Sequence, residues 1–310
     1  MIVSVSRRTD IPALYADWFF HRLSAKTVCT KNPFNRKQVR KVSLAEEDVT
    51  GFVFWTRNPE PFLNKIHRLK GYAYYFHVTL TPYGSDLEPA FKDKERILAS
   101  VKKLAGLIGK ERIVWRYDPV LLSKQYRESD HYAHFEECAK RLSGSVNEVT
   151  VSFVNAYRKN AKALEKAGIE TLSDAKKRKM AKRFMDIAYK YGITLSFCAE
   201  PALQEARFPA AKCVDEQKFA RLKGKSIPYE KDPNQRGACG CAKSVDIGAY
   251  DTCTFGCGYC YATNRREKAL QNKERHHQTS PFLLGDFMGD ETITHLPGKR
   301  KSCDKNLFTT

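Results

Sequence analysis

Cys253, Cys257 and Cys260 stand at C-x-x-x-C-x-x-C spacing in the stretch Cys253-Thr254-Phe255-Gly256-Cys257-Gly258-Tyr259-Cys260-Tyr261-Ala262. Thiolates this close along one loop can converge on a metal centre, and Gly256 and Gly258 let the backbone wrap tightly enough to turn the sulfurs inward. Three cysteines fill three corners of a four-iron cluster. The fourth iron is then open to a small molecule, which is the condition for chemistry at the cluster rather than simple electron storage. The competing reading is a structural zinc site completed by Cys239 or Cys241. Zinc sites usually combine C-x-x-C pairs from two knuckles, whereas here three cysteines share one loop, so the spacing favours a [4Fe-4S] cluster. Cys198, Cys213, Cys239 and Cys241 remain as ligands for a second cluster or a zinc ion, or as a thiol for hydrogen-atom transfer. Cys29 and Cys138 stand alone among apolar residues and read as buried packing.

The elements that must position this loop are legible as alternating strands and helices. Apolar runs at Ile2–Val5, Gly51–Trp55, Tyr74–Thr81, Arg112–Tyr117, Glu148–Val154 and Ile193–Phe197 predict strands, and Ser244–Gly248 predicts a seventh just before the cysteines. Helical spacing predicts helices over Tyr15–Leu23, Lys94–Ile108, His131–Leu142, Ala175–Tyr191 and Arg265–Lys273. Strands this apolar, separated by helices, imply a parallel sheet covered by helices. The fold class is therefore α/β, a full or partial parallel (β/α) barrel. One domain is expected over residues 1–266, including the cysteine region 239–262, followed by a basic, polar and partly disordered tail over 267–310.

In such folds, binding residues gather on loops at the carboxyl ends of the strands. Those ends carry Arg7, Arg8, Asp10, Arg57, Asn58, Arg116, Asp118, Asn155, Cys198 and Glu200. Pairing among themselves would make each a scaffold residue. Together, Arg7, Arg8, Arg57, Asn58, Arg116 and Asp118 offer guanidinium and polar groups for a carboxylate or phosphate.

The chain carries 54 Lys and Arg against 35 Asp and Glu, a formal charge of +19. The excess concentrates on Lys176-Lys177-Arg178-Lys179, Lys182 and Arg183 of a helix, and on Arg265-Arg266 and Lys299-Arg300-Lys301. Such a field favours phosphate-rich partners, nucleic acid or nucleotide, through counterion release. Ten cysteines without an apolar leader lead to an expected cytoplasmic location, and no apolar run reaches membrane-spanning length.

The segments Ser6-Arg7-Arg8-Thr9-Asp10-Ile11-Pro12, Phe54-Trp55-Thr56-Arg57-Asn58-Pro59, Trp115-Arg116-Tyr117-Asp118-Pro119, Gln235-Arg236 and Asp246-Ile247-Gly248 resemble an uncharacterised bacterial family of cluster-containing proteins. The cysteine loop itself, ending Tyr259-Cys260-Tyr261-Ala262, is similar to that of radical S-adenosylmethionine proteins of the spore photoproduct lyase type. In that superfamily the loop usually follows the first strand, whereas here it follows the last, so the resemblance implies a circularly permuted core. It further implies that Cys253, Cys257 and Cys260 ligate the cluster, that S-adenosylmethionine chelates the open iron, and that Tyr259 lies near the adenine. No glycine-rich acidic motif is present to hold the cofactor's amino group, and Glu200 or Asp10 would take its place. The implied function is radical chemistry on a nucleic-acid or nucleotide substrate, with flavodoxin or ferredoxin as electron donor. The alternative is a non-enzymatic iron–sulfur or zinc protein serving electron transfer or nucleic-acid binding.

Overall fold

Runs such as Gly51-Phe52-Val53-Phe54-Trp55 are apolar at successive positions because the sheet they enter is covered on both faces. The computed structural model describes residues 1–157 and 159–297. Its strands, in chain order, are β1 (Ile2–Val5), β2 (Thr27–Asn32), β3 (Asn35–Ser43), β4 (Gly51–Thr56), β5 (Tyr74–Thr79), β6 (Ile113–Val120), β7 (Glu148–Phe153), β8 (Thr194–Phe197), β9 (Ser244–Asp246) and β10 (Thr292–Leu296). Seven of them form one sheet in the order β8-β7-β6-β5-β4-β1-β9, and every neighbouring pair is parallel. The sheet is open, with β8 and β9 as its two edges. The described residues thus show the parallel α/β class expected from sequence, and they form no closed barrel. β9, the last of these strands in the chain, lies beside the first, Ile2 to Ser4 pairing with Ser244 to Asp246.

Ten α-helices join the strands: α1 (Ile11–Leu14), α2 (Ala16–Ser24), α3 (Glu60–Leu63), α4 (Lys94–Ile108), α5 (Glu128–Leu142), α6 (Ala161–Lys166), α7 (Asp174–Lys190), α8 (Pro201–Glu205), α9 (Glu216–Lys223) and α10 (Arg266–Glu274). Strand side chains alternate between the two faces. Val3, Phe52, Phe54, Phe76, Ile113, Trp115 and Val149 pack against the helices in the main core. The opposite residues, Ile2, Val53, Tyr75 and Val114, meet a second layer built from residues 198–242, including Phe219 of α9. The four cysteines of that stretch, Cys198, Cys213, Cys239 and Cys241, belong to this layer.

Two features were not anticipated. β2 and β3 form an antiparallel hairpin, and β10 adds to it in parallel, Thr292 to Leu296 pairing with Gln38 to Val42. Beyond α10, which is the helix expected over Arg265–Lys273, the segment expected to be a polar tail carries β10, and Trp18 Nε1 and Arg22 Nη2 donate to the carbonyls of Ser280 and Thr279. Residues 298–310, with Lys299-Arg300-Lys301, lie outside the described residues. Among the described residues no helix is long and apolar enough to cross a membrane.

Candidate functional site

The cysteine loop leaves the carboxyl end of β9 and closes on itself, the Asp251 amide donating to the Ala262 carbonyl at 3.0 Å. Gly256 takes φ +72°, the left-handed region that favours glycine, and a Cβ there would meet the Arg266 side chain at 2.9 Å. Arg266, from the first turn of α10, donates through Nε to the Thr254 carbonyl, and Asn272 of the same helix donates to the Asp251 carbonyl. Inside the loop the Cys260 amide donates to the Cys257 carbonyl, and the Ala262 amide to Cys260 Sγ. The three thiols interact with one another. Burial pushes Cys257 up to about 12, with Arg57 opposing and Glu88 and Cys260 adding to the rise. Burial also pushes Cys253 up, and Asp10, Cys257 and Cys260 contribute in the same direction. Ligation requires thiolates, so a metal centre would form here with release of protons and with Arg57 and Lys94 as nearby cations.

Beneath the loop lies a network that short-range sequence patterns do not reveal. Glu88, fully buried, accepts from Thr81 Oγ1 at 2.5 Å and from Lys94 Nζ at 2.6 Å, and pairs with Arg57 Nη1 at 2.9 Å. The Tyr259 hydroxyl hydrogen-bonds both Glu88 and Arg57. Asn160 Nδ2 donates to the Tyr259 carbonyl at 3.0 Å, and the Gly258 amide to the Leu87 carbonyl at 2.9 Å. A buried pair so fully hydrogen-bonded holds the loop's position at the cost of desolvating its charges.

On the other side, Asp246 of β9 ties the loop after β1 in place. It accepts from the hydroxyls of Ser4 and Ser6 and from the amides of Arg7 and Gly248, at 2.6 to 3.0 Å. Gly248 must be glycine, since a Cβ would lie 2.1 Å from Ser6 Oγ. The Asp-Ile-Gly segment is thereby explained as an anchor.

Several residues offered by sequence as ligand contacts turn out to be committed to the scaffold. Asp10 caps α1 by accepting from the Ala13 amide at 3.0 Å and accepts from the Arg57 amide at 2.6 Å. Burial raises its pKa to about 6, against the opposing effect of these bonds. Glu200 accepts from the Phe153 amide at 3.0 Å and from Lys177 at 3.1 Å. Both oxygens of each carboxylate are thus hydrogen-bonded within the chain. Tyr259 is buried with its hydroxyl engaged. Arg57 serves the Glu88 network, Asn58 accepts from the Glu60 amide, and Arg116 pairs with Asp118, which also takes the Ser152 hydroxyl. Backbone amides near strand ends claim carboxylates readily, so position alone does not distinguish a cap from a ligand.

Arg7 and Arg8 do reach the mouth of the sheet, where cations and aromatic rings interleave. Arg7 lies over Trp55 at 5.3 Å, while Arg8 and Lys159 flank Tyr250 at 5.1 and 4.3 Å. Tyr157 and Tyr261 are exposed and in contact, with ring centroids 5.5 Å apart, and Tyr261 donates to the Arg7 carbonyl. Tyr157, Tyr250 and Tyr261 were missed as site residues, although each follows a strand end or lies within the cysteine region. By contrast, the basic helix α7 is partly neutralised: Lys176 and Lys179 pair with Glu128, and Lys177 with Glu200.

Cys239 and Cys241 pack in the second layer with Cys198 and Cys213; Cys241 Sγ accepts from the Val214 amide at 3.4 Å, and the Sγ atoms of Cys198 and Cys213 are 3.4 Å apart. Cys29 packs with Val39 and Phe282, and Cys138 lies in the main core 3.3 Å from His134 Nε2. As the side chains stand, no group of three or more His, Cys, Asp or Glu among the described residues is arranged to hold a metal ion.

No curated protein matches the chain. A family model does, over residues 2–262, from the first residue of β1 to Ala262 at the end of the cysteine loop. That span contains the strand-end motifs, the loop and the second cysteine group, and the chain belongs to the family described as Domain of unknown function (DUF1848).

Proposed function

We propose that this chain is an iron–sulfur enzyme of the radical S-adenosylmethionine type, acting on a substrate that carries a nucleobase and phosphate. The observation that carries the reading is the partition of the cysteines. Cys239 and Cys241 lie in the buried layer with Cys198 and Cys213, so the loop keeps Cys253, Cys257 and Cys260 as its own thiols. The donor type and C-x-x-x-C-x-x-C spacing of these three, with Arg57 and Lys94 nearby, support a four-iron cluster. The pairing of β9 with β1 supports a circularly permuted core, because it sets the loop beside the chain's first strand although it comes last in sequence.

When bound, the cluster supplies one electron to the sulfonium of S-adenosylmethionine, whose cleavage leaves methionine and a deoxyadenosyl radical able to abstract hydrogen. The chain's own part is positional. Glu88, Arg57 and Asn160 fix the loop; Asp246 fixes the backbone of Ser6 to Arg8. Arg7 and Arg8 meet a carboxylate or phosphate, and Tyr157, Tyr250 and Tyr261 offer faces on which bases stack.

Reduced, reconstituted protein mixed with S-adenosylmethionine is expected to form 5′-deoxyadenosine and methionine, and Cys257→Ala to form neither. Short single-stranded oligonucleotides should bind with strong salt dependence. Replacing both Tyr157 and Tyr261 by alanine should weaken that binding at least several-fold, since each stacked base is worth about 1 to 3 kcal/mol. No oligonucleotide binding at low salt would redirect the substrate to a mononucleotide or small anion. Binding without cleavage by cluster-loaded protein would leave the electron-transfer or nucleic-acid-binding alternative in place.

A further inference from the structure

The second cysteine group is assembled from three segments that are distant in sequence. Cys198 follows β8; Cys213 lies on the segment held to β8 by the Phe197 and Ala211 amides; Cys239 and Cys241 come from the stretch that returns to Val214 through the Ala242 amide. All four are buried. Cys213 Sγ lies 3.4 Å from Cys198 Sγ, and all four cysteines belong to one buried cluster. The Val214 amide donates to Cys241 Sγ at 3.4 Å, and Arg116 Nη1 to Cys213 Sγ at 2.9 Å. Arg236 Nη2 lies 4.0 Å from Cys198 Sγ.

Two further atoms are unexplained by the scaffold. Arg7 has a buried Nη2 with no hydrogen-bond partner, although Nη1 has Asp232 at 3.6 Å, and its charge is favoured by Cys241 and Cys213 as well as by Asp246. His77, on the same face, places Nε2 2.7 Å from the Cys213 carbonyl, which can only accept, so Nδ1 is a buried lone pair without a partner. Arg116 and Arg236, two guanidinium groups beside buried thiols, are costly next to neutral sulfur and well matched to a negatively charged thiolate centre.

We propose that Cys198, Cys213, Cys239 and Cys241 bind a single zinc ion as a tetrathiolate, distinct from the cysteine loop. The sulfur spacing decides for one ion. A tetrahedral zinc site with Zn–S bonds of about 2.3 Å has sulfur–sulfur edges of about 3.8 Å, and Cys198 and Cys213 are already 3.4 Å apart. Thiolates on a four-iron cluster sit on different irons and spread wider. The ion would displace the thiol protons, and the Arg116 guanidinium, 2.9 Å from Cys213 Sγ, is placed to meet the resulting thiolate. Arg116, Arg236 and Arg7 would balance the two net negative charges, and the Val214 amide would remain a donor to sulfur. Joining the residue 198–242 layer at three points, the ion would lock it onto the sheet.

The test uses a variant with Cys253, Cys257 and Cys260 all replaced by alanine, so that it stands independently of the loop. Such protein, purified without added metal, is expected to hold about one zinc per chain and no labile sulfide. Exchange with Co²⁺ should give the charge-transfer and visible bands of a tetrahedral tetrathiolate. Adding Cys213→Ser should remove at least nine-tenths of the zinc. The cobalt spectrum reads the unaltered site should that substitution prevent folding. Metal-free protein with four alkylatable thiols, a Cys198–Cys213 disulfide, or iron with labile sulfide in the triple variant would each overturn the proposal.

Discussion

Replacing Cys257 by alanine is expected to remove essentially all iron and labile sulfide from protein reconstituted without oxygen, whereas Cys138→Ala leaves both unchanged. Cys257 is the central thiol of the loop, and two remaining thiolates cannot retain a four-iron cluster against solvent. Cys138 is a buried core residue, so its loss opens a small cavity costing about 1 kcal/mol and touches no ligand. Iron retained at four per chain in Cys257→Ala would move the centre off the loop. Zinc at the second cysteine group is read separately and is untouched by this substitution.

Glu88→Gln is expected to destabilise the protein by about 3 to 5 kcal/mol and to lower iron retention, measured by chemical denaturation and metal content. Removing one charge of a buried, hydrogen-bonded pair leaves the other without compensation: Arg57 and Tyr259 would keep an acceptor but an uncharged one, and Lys94 would face an amide NH2 in place of Oε2. The pH dependence carries a sign. Burial works to raise the Glu88 pKa, but Arg57 and Lys94 hold it below the ordinary value. Its stabilising contribution is therefore present above the unfolded glutamate pKa of about 4.3 and is lost as pH falls through the folded value. The variant should show a flatter loss of stability on acidification than the parent chain. An unchanged slope, with full stability, would remove Glu88 from the account of how the loop is held.

Much of the sheet was legible because its strands are buried on both faces. Gly51–Trp55 reads as a strand without reference to any partner, and α4 reads from its helical spacing over Lys94–Ile108. The hairpin of β2 and β3 was not legible. In β3 only Val39 and Val42 are buried, and its neighbour β10 comes from the far end of the chain. Interactions of that range leave no local period. The same reason hid Glu88, whose bond to Tyr259 spans 171 positions. The loop cysteines were legible because their spacing is itself the signal. The amide partners of Asp10 and Glu200 were not legible, because a strand-end carboxylate looks alike in sequence whether it meets a ligand or a backbone amide.

The account rests on an iron corner left open by three thiolates, and electron paramagnetic resonance of the reduced cluster with and without S-adenosylmethionine reads that corner directly. Chelation through the cofactor's amino and carboxylate groups predicts a change in the cluster's g values on addition, absent with methionine-free deoxyadenosine. Superimposable spectra from protein holding a full complement of iron would mean that the fourth corner is closed, and would contradict the enzyme reading.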